Sequence, residues 1–500
     1  MKRRICALLA LLMLCSWAVA QADAQSNHNW YEVFVRSYQD SDGDGIGDLP
    51  GLTGRLDYIR EMGYNGLWLM PVMPSPSYHK YDVTDYCAID PEYGTLEDMR
   101  VFLAEAHRRD IRVIIDLPIN HSSTQHPWFL AACEALRTGQ DSPYIDYYHF
   151  KTQADTGFVQ LTGTEWYYEE RFTGGGMPDL NLDNERLWQE LRDICAFWLT
   201  DMGVDGFRLD AVTSYYTNDQ ERNIAALARL KTLCEELRPG SYLVGECWAG
   251  LSVIADYYRS GVDSFFLFPA SQAEGFVAAS LRGRGKHAES FARNYQAVLN
   301  AIPQGMLAPF LCNHDTGRTV GSVQGRQNLP VAKFAEGVLN MMQGNVFTYY
   351  GEEIGMVGSG DDPNKRLAMY WSDVDMTDQP PGVTRLEYAY PSVEEQMRDP
   401  QSLLSYCKKA NQIRLKFPLI AVGENEFVRI EGDICVMRRA LAGNECLIAM
   451  NFSAKETQQI PLDENLTIAA DLEAGEDAAH FAEGTLRLPP YGIVILTQNH

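Results

Sequence analysis

Several ionisable side chains stand at or just after the ends of short apolar runs in this chain. Three are acids and three are bases: Asp210, Glu246, Asp315, His121, Arg208 and His314. A single acid at the end of a buried strand is commonly a hydrogen-bonded cap with no chemical role. Three acids, two imidazoles and a guanidinium together suit a reaction that needs a nucleophile or base and a proton donor. We therefore treat these six residues as candidates for a catalytic site.

Eight apolar runs must position these side chains, and they alternate with stretches of helical periodicity. This is the pattern of βα units around a parallel sheet. The predicted strands are 31–35, 66–70, 112–116, 206–210, 242–246, 263–266, 310–313 and 346–349, and the predicted helices are 96–108, 186–200, 223–237 and 331–342. Eight strands predict an α/β fold of the closed (β/α)8 TIM-barrel type. Its chemistry lies at the carboxyl ends of the strands, where the candidate residues stand.

The length of the chain predicts more than one folding unit. At 500 residues it exceeds a single ordinary core. We assign 25–120 and 186–417 to the two parts of the barrel. The stretch 121–185 is too long for a simple loop, which predicts an inserted subdomain after the third strand. Short alternating apolar runs predict a C-terminal antiparallel β domain over 418–500.

The first residues have the pattern of an export signal. A basic start precedes a short apolar run and small residues that suit cleavage near Ala20 or Ala24. We therefore assign 1–24 to a signal peptide and expect a secreted or cell-envelope protein. A buried N-terminal helix and a lipid anchor at Cys15 are the alternatives. No later run suggests a membrane span.

Charge and cysteine usage narrow the possible partners. The formal net charge of −25 argues against nucleic acid, which needs a basic face, whereas a neutral carbohydrate is compatible with it. Nine of the eleven cysteines lie beyond the signal segment, without a CxxC pair or zinc-like spacing. We interpret them as small buried side chains rather than a disulfide framework, and the odd number leaves at least one thiol free unless it pairs with another chain. We expect a monomer with no organic cofactor.

Ordered motifs resemble the signature regions of glycoside hydrolase family 13, the α-amylase family. They are the segments 116–121, 206–210, 245–246 and 313–315, together with 81–86 after the second strand and 177–181 in the inserted stretch. The resemblance covers nearly the whole mature chain. It implies hydrolysis of an α-glucan, such as starch, glycogen or maltooligosaccharides, with retention of configuration through a covalent glycosyl-enzyme intermediate.

The resemblance also implies a role for each candidate. Asp210 would be the nucleophile, Glu246 the general acid and base, and Asp315 the third acid, which binds sugar hydroxyls. Retaining glycosidases hold the first two carboxyl groups about 5–5.5 Å apart. Four further residues would bind the sugar or orient the nucleophile: Tyr81 by stacking, His121 and His314 by hydrogen bonds, and Arg208 by its charge beside Asp210.

Acids recur at alternate positions between 40 and 48, with glycines among them. Such oxygen donors can fold around one hard cation, as in the first half of an EF-hand loop. The predicted ligands of this structural Ca²⁺ are Asp40, Asp42, Asp44, Ile46 and Asp48. Gly51 stands where an EF-hand has its closing Glu, so a solvated acidic turn is the alternative. The resemblance implies a second calcium site at Asn120 and Asp179, although Ser214 replaces a His that is frequent in the family.

The motifs are mixed within the family. The segment 78–81 resembles amylases, although a Gly is usual at the position of Lys80, while 351–356 and 366–371 resemble oligo-1,6-glucosidases. Tyr78 and His79 stand where such glucosidases carry an acidic pair. We predict an endo-acting α-amylase (EC 3.2.1.1). The alternatives are an exo-acting α-glucosidase or maltogenic enzyme, a 4-α-glucanotransferase, and a catalytically inactive sugar-binding relative.

Overall fold

A computed structural model describes residues 28–282 and 285–498 of the chain. The predicted signal peptide, 1–24, lies outside the described residues. Eight parallel strands form a barrel, in chain order β1 Asn29–Val33, β2 Gly66–Leu69, β3 Arg112–Leu117, β4 Gly206–Leu209, β5 Tyr242–Gly245, β6 Ser264–Phe266, β7 Met306–Ala308 and β8 Val346–Tyr349. From β1 to β7 each strand pairs with the next one in sequence, and β1 also pairs with β8. The predicted (β/α)8 barrel is confirmed.

The seventh strand was predicted at the wrong place. It was expected at 310–313, but the regular ladder of β7 ends at Ala308. The next residue is Pro309, which has no N–H to donate and interrupts the ladder. Beyond it only Phe310 makes a single parallel bridge, to Phe347. The Phe347 N–H donates to the Pro309 carbonyl (3.0 Å), and this contact closes the barrel between β7 and β8.

The barrel strands are apolar because both of their faces are buried. Every residue of β2, β4 and β5 is buried. Three buried charged residues break this rule: Glu32 in β1, Asp116 in β3 and Arg208 in β4. A buried charge is costly unless it is paired. These residues therefore indicate a polar centre inside the barrel, toward the carboxyl ends of the strands.

Helices cover the outside of the barrel and link its strands. The α-helices are Leu49–Gly54, Leu56–Glu61, Leu96–Arg108, Pro127–Thr138, Glu185–Ala196, Gln220–Leu237, Leu251–Tyr257, Phe276–Arg282, His287–Ala301, Thr319–Ser322, Leu329–Asn340, Val393–Gln396, Leu403–Lys416 and Leu419–Val422. The helix predicted at 96–108 is confirmed. Thr95 and Asp98 cap it reciprocally, and its apolar face packs inward. The helix predicted at 186–200 turns into a π-helix at Phe197–Met202.

Three further sheets lie outside the barrel ladder. Between β3 and β4, the strands Phe150–Lys151, Phe158–Gln160 and Tyr167–Glu169 form a small antiparallel sheet. After the helix Leu403–Lys416 the chain is antiparallel β structure. One sheet contains Glu424–Glu431, Ile434–Leu441, Asn444–Asn451, Leu466–Leu472 and Ile493–Gln498, and the other contains Gln458–Pro461, His480–Ala482 and Thr485–Leu488. The predicted insertion and C-terminal β domain are confirmed as features of the fold. The domain limits given above stay predictions.

One apolar core joins the barrel, the inserted segment and one face of the C-terminal sheet. A second, smaller cluster lies within the C-terminal β structure, around Val436, Ile460 and Leu486. The nine cysteines of the described chain are free; all are buried except Cys87, which is half-buried. This agrees with their interpretation as small buried side chains. Among the described residues no helix has the length and apolar character needed to cross a membrane.

Candidate active site

The structure brings together all seven residues predicted for the catalytic site. A cavity of about 530 Å³ opens at the carboxyl ends of the strands. Its lining includes Tyr81, His121, Asp210, Glu246 and Asp315, and Arg208 and His314 contact these residues from below. These side chains come from five barrel strands: Tyr81 follows β2, His121 follows β3, Arg208 and Asp210 lie in or just after β4, Glu246 follows β5, and His314 and Asp315 follow β7. A larger groove of about 770 Å³ at the amino ends of the strands contains none of them.

Arg208 connects the carboxylates at the floor of the cavity. Its side chain is fully buried. One nitrogen, Nη1, lies 2.5 Å from Asp210 Oδ1 and 2.9 Å from Asp116 Oδ1, and the other, Nη2, lies 3.0 Å from Glu246 Oε1. A guanidinium can engage several carboxylates in fixed geometry. Because one cation faces three carboxyl groups, the site cannot hold all of them ionised at equal cost.

Glu246 has the properties of a proton donor. Burial raises the pKa of Glu246 to about 8, and the nearby charges of Asp210 and Asp315 act in the same direction, although Arg208 opposes them. Its other oxygen, Oε2, accepts a hydrogen bond from the Ala211 N–H (2.9 Å). Burial likewise raises the pKa of Asp116 to about 6. At neutral pH Glu246 therefore carries a proton that it can give to a leaving group.

Asp315 is held in the opposite protonation state. Although burial alone would raise its pKa, the charge of His314 and then that of Arg366 hold the pKa of Asp315 well below its usual range. His314 Nε2 lies 3.1 Å and Arg366 Nη2 lies 2.7 Å from its carboxylate. Burial lowers the pKa of His314, but Asp315 and Glu32 outweigh burial and raise it to about 9. The pair is thus a buried imidazolium beside an ionised carboxylate.

Tyr81 lies over this ion pair. Its ring stacks on the His314 ring, with centroids 5.5 Å apart and planes 16° apart. Its hydroxyl is 3.1 Å from Asp116 Oδ2 and 2.6 Å from His314 Nε2. His121 Nε2 donates to the Tyr81 carbonyl (3.2 Å). The contact of His121 with a sugar hydroxyl therefore stays a prediction, because this proton already has a protein acceptor.

Sequence reasoning missed two residues of this network and gave a third no role. Glu32 accepts a hydrogen bond from His314 Nδ1 (2.5 Å), and Arg366 binds both Asp315 and the carbonyl of His314. Asp116 was noted only as a strand end, yet it accepts from Arg208 and Tyr81. The signal for Glu32 was present, since it is the one charged residue in the apolar run Asn29–Val33. Arg366 follows a long loop, and no local pattern placed it near Asp315.

Three of the five residues predicted for the first calcium site lie together. The carboxylate oxygens of Asp40, Asp42 and Asp48 are within 4.8 Å of one another. Asp44 lies outside this group and accepts from the Ile46 N–H (2.7 Å). Gly45 has φ +92°, and a Cβ there would meet the Asp378 carboxylate at 2.5 Å. Carboxylates in a tight loop of this kind are the donors that calcium prefers, so the residues fit the ion.

The two residues predicted for the second calcium site are in contact. Asn120 Nδ2 donates to Asp179 Oδ1 (3.3 Å), while the buried Asn120 Oδ1 has no hydrogen-bond partner among the described residues. Burial raises the pKa of Asp179 to about 7. One carboxylate and one amide are fewer donors than a calcium cage requires. This second site stays a prediction.

Comparison with known proteins gives the family. The sequence profile described as "Alpha amylase, catalytic domain" matches residues 32–423. The protein named Alpha-amylase 3 of Dictyoglomus thermophilum is 36% identical over 447 residues, which are 86% of this chain and 85% of that protein. A Streptococcus pneumoniae protein named Glucan 1,6-alpha-glucosidase is 34% identical over 65% of this chain and 64% of its own length. The solved structure of Eubacterium rectale Amy13B has a TM-score of 0.92, with 41% identity, and covers 95% of this chain and 96% of its own.

The class that the barrel and its carboxylates define is that of the glycoside hydrolases. The chain belongs to glycoside hydrolase family 13, the α-amylase family. The resemblance stated from the sequence motifs is confirmed. The relatives include an amylase and a glucosidase, so membership alone leaves the preferred bond and the mode of cleavage open.

Proposed function

We propose that this protein is an endo-acting α-amylase. It hydrolyses α-1,4 bonds in starch, glycogen and maltooligosaccharides and retains the configuration of the anomeric carbon. Asp210 attacks the anomeric carbon while Glu246 protonates the leaving oxygen, which leaves a glycosyl ester on Asp210. Glu246, now a carboxylate, removes a proton from water, and the water displaces Asp210. Two inversions restore the starting configuration.

The remaining residues of the site serve this reaction through charge and position. Arg208 faces both Asp210 and Glu246, so it stabilises whichever of them is ionised at each step. The ionised Asp315 accepts hydrogen bonds from sugar hydroxyls, and the protonated His314 holds that carboxylate in place. Tyr81 offers its ring to the apolar face of the sugar. The positive charge that develops on the sugar ring thus faces anionic carboxylates.

The observation that carries endo cleavage is the contact between Tyr78 and Arg366. Arg366 Nη1 donates to the Tyr78 hydroxyl (3.4 Å). An exo-acting enzyme needs a blocked pocket, usually closed by loops of the inserted domain or by an acidic clamp on the terminal sugar. A phenol opposite the guanidinium forms only a neutral contact and provides no such clamp. Asp362 lies farther away, 3.7 Å from Arg366 Nη2, and its side chain is 56% exposed. The cavity can therefore accept a chain that continues past the sugar at the reaction centre.

The leaving-group side of the cavity is also extended. Trp248, two residues beyond Glu246, is 49% exposed and stacks on Phe268, with ring centroids 4.8 Å apart and planes at 18°. Trp248 lines both the catalytic cavity and a neighbouring groove of about 680 Å³. Since Glu246 protonates the leaving oxygen, the sugars that leave lie on this side. The groove supports binding of a polymer beyond the bond that is cleaved.

Product analysis tests the proposal. An endo-acting enzyme lowers the viscosity and iodine colour of amylose well before much reducing sugar appears, and mixed oligosaccharides come first. NMR of the first products shows α-anomers. Glucose as the sole early product would identify an exo-acting α-glucosidase instead. Longer maltooligosaccharides formed from maltotriose would identify a 4-α-glucanotransferase. An inert protein that binds maltoheptaose is the catalytically inactive relative.

A pair of variants tests the reason given for endo cleavage. Tyr78→Asp places a carboxylate opposite Arg366, and the resulting ion pair closes that end of the site. The early products then shift toward glucose, while the matched control Tyr78→Phe keeps the wild-type product pattern. An unchanged product pattern in Tyr78→Asp removes the contact as an explanation.

We propose further that Asp40, Asp42 and Asp48 bind a structural Ca²⁺ and that the protein is exported. The ion would link the loop after β1 to the helix Leu49–Gly54, whose N-cap is Asp48, and it takes no part in bond cleavage. Asp44 and Ile46 stay predicted ligands. Export is supported by the segment 1–24 alone, and N-terminal sequencing of the mature protein from the culture medium tests it.

A further inference from the structure

Lys80 has an unusual combination of backbone and burial. Its φ is +68°, in the left-handed region that residues with a side chain seldom adopt. Its side chain is 3% exposed, although lysine is among the residues least often buried. A glycine would adopt this backbone without strain, and a Gly is usual here in the family. The turn alone therefore does not explain why a lysine occupies the position.

The ammonium group of Lys80 makes the contacts that hold this side chain in place. Nζ lies 2.8 Å from Asp90 Oδ2 and 2.7 Å from Glu92 Oε2, and it lies 5.5 Å from the centroid of the Tyr93 ring. Asp90 also accepts from the Ser75 N–H (3.1 Å). Asp90 thus holds both ends of the loop 75–80 to the segment 90–93, one through the ion pair with Lys80 and the other through the hydrogen bond from Ser75. The pair between Lys80 and Asp90 is buried, whereas Glu92 is 45% exposed. The buried pair resists displacement, because removal of either partner leaves the other as an unpaired buried charge.

The two residues beside Lys80 face the catalytic cavity. His79 and Tyr81 both line it, whereas Lys80 does not. The Tyr81 N–H donates to His79 Nδ1 (3.2 Å), so the neutral ring of His79 carries its proton on Nε2. Burial lowers the pKa of His79, which keeps the ring neutral near pH 7. Nε2–H can then donate to a sugar hydroxyl beside the Tyr81 ring.

We propose that Lys80 is a positioning residue: its ion pairs with the buried Asp90 and the partly exposed Glu92 fix the left-handed turn that sets His79 and Tyr81 against the sugar. This inference rests on the proposed active site but not on the mode of cleavage. A change in the backbone of Lys80 rotates both neighbours at once, since each is joined to it by a single peptide bond. Lys80 itself touches neither substrate nor the reacting carboxylates.

The test uses a double-mutant cycle on kcat/KM. Lys80→Met removes the charge and keeps most of the volume, and it lowers kcat/KM for maltoheptaose by about tenfold to a hundredfold, the scale expected for a misplaced binding group. Lys80→Arg restores most of the loss, because it keeps the charge. In a His79→Ala/Tyr81→Ala background Lys80→Met causes little further loss, since it acts through those two side chains.

Lys231→Met is the matched control. Lys231 is a partly buried lysine, 17% exposed, with Nζ 2.8 Å from Asp263, but it lies beside Ser241 and Asp263 at the amino ends of the strands. The Lys231→Met substitution changes the melting temperature and leaves kcat/KM unchanged. If Lys80→Met does not fold, Lys80→Gly carries the same cycle without the backbone strain. The proposal is overturned if kcat/KM is unaffected by Lys80→Met, if the loss persists in full in the His79→Ala/Tyr81→Ala background, or if Lys231→Met reproduces it.

The wild type is assayed first on maltoheptaose and isomaltotriose, and the cycle is run on the substrate that is cleaved better. Failure of the endo-amylase proposal then shows in the products of the wild type, whereas failure of the Lys80 proposal shows only in the cycle. If neither sugar is cleaved, the same cycle is run on the dissociation constant of maltoheptaose measured by calorimetry. Equal affinities of wild type and Lys80→Met then overturn the proposal.

Discussion

Arg208 explains how one small cavity holds carboxyl groups in different protonation states. Its single positive charge is fully buried and faces Asp116, Asp210 and Glu246. Desolvation of a buried carboxyl group can raise its pKa by several units, and a nearby cation opposes this. For Glu246 burial outweighs Arg208, whereas for Asp315 the opposite charges of His314 and Arg366 outweigh burial. Acid and base roles are thus assigned by surroundings rather than by residue type.

The assignment of nucleophile and proton donor predicts the effect of conservative changes. Asp210→Asn and Glu246→Gln each lower kcat by about 10³-fold or more, because the charge or the proton is lost while the volume is kept. Circular dichroism spectra and melting curves stay close to those of the wild type. Starch hydrolysis at a wild-type rate by either variant would show that the residue has another role.

The raised pKa of Glu246 predicts a loss of activity in alkaline solution. Glu246 must be protonated to act as the acid, so kcat/KM for maltoheptaose declines as the pH rises through about 8. α-Maltosyl fluoride is the control, because fluoride departs without a proton and its cleavage keeps its rate over the same range. An equal decline for both substrates would attribute the alkaline limb to another group.

Between β1 and the helix Leu49–Gly54, an acidic loop connects the first strand to the outer layer. Asp40 accepts the N–H groups of Gly43 and Gly45, and Asp48 caps the helix by accepting from Gly51. Burial acts to raise the pKa of Asp40, but these backbone donors outweigh it and lower the pKa overall. The Asp40 carboxylate lies close to those of Asp42 and Asp48, an arrangement that a divalent cation stabilises.

The loop predicts a chelator-sensitive melting temperature. A bound ion present at a hundredfold excess over its Kd adds about 2.7 kcal/mol to the free energy of unfolding, so EDTA lowers Tm by roughly 2–4 °C. Asp42→Asn removes most of this response, and the exposed Asp155→Asn, distant in sequence, leaves it intact. If EDTA leaves the wild-type melting curve unchanged and elemental analysis finds no metal, the loop 40–48 is a solvated acidic turn and not a calcium site.

The elements show which parts of the fold the sequence could predict. Apolar runs buried on both faces give strands such as Val346–Tyr349 at their observed bounds, because the run itself contains the signal. The seventh strand was displaced because Pro309 ends its hydrogen-bond ladder within an unbroken apolar run. Short helices such as Leu251–Tyr257 were missed, since seven residues hold too little periodicity. Arg366 reaches Asp315 across 51 positions, a contact that only the closed barrel creates.

A buried arginine ties the C-terminal sheet to the barrel. Arg439, in the strand Ile434–Leu441, donates to the Met341 carbonyl (2.9 Å) and to the Tyr295 hydroxyl (3.2 Å). Arg414, in the helix Leu403–Lys416 that precedes the sheet, donates to the carbonyls of Asn340 and Met342 at 2.7 and 2.6 Å and holds this helix against the same part of the barrel. The main apolar core also includes residues of the sheet. Barrel and sheet therefore stabilise each other.

This coupling predicts a single cooperative unfolding transition. Arg439→Met leaves buried oxygens without donors and lowers the free energy of unfolding by about 2–4 kcal/mol. Arg438→Met, on the opposite face of the same strand, breaks only exposed ion pairs with Glu426 and Glu445 and costs under about 1 kcal/mol. Calorimetry and loss of activity should report one midpoint. Two separated transitions in the wild type would show that the sheet unfolds on its own.

The buried cysteines allow the opening of individual regions of the fold to be measured at single positions. Burial raises the pKa of Cys133 to about 11 and that of Cys435 to about 12, so neither side chain is nucleophilic at neutral pH while the fold is closed. An alkylating reagent can modify each only when its surroundings open. Peptide mass spectrometry after timed labelling would therefore give an opening rate for the inserted segment from Cys133 and for the C-terminal sheet from Cys435. These native cysteines report local opening without any engineered label.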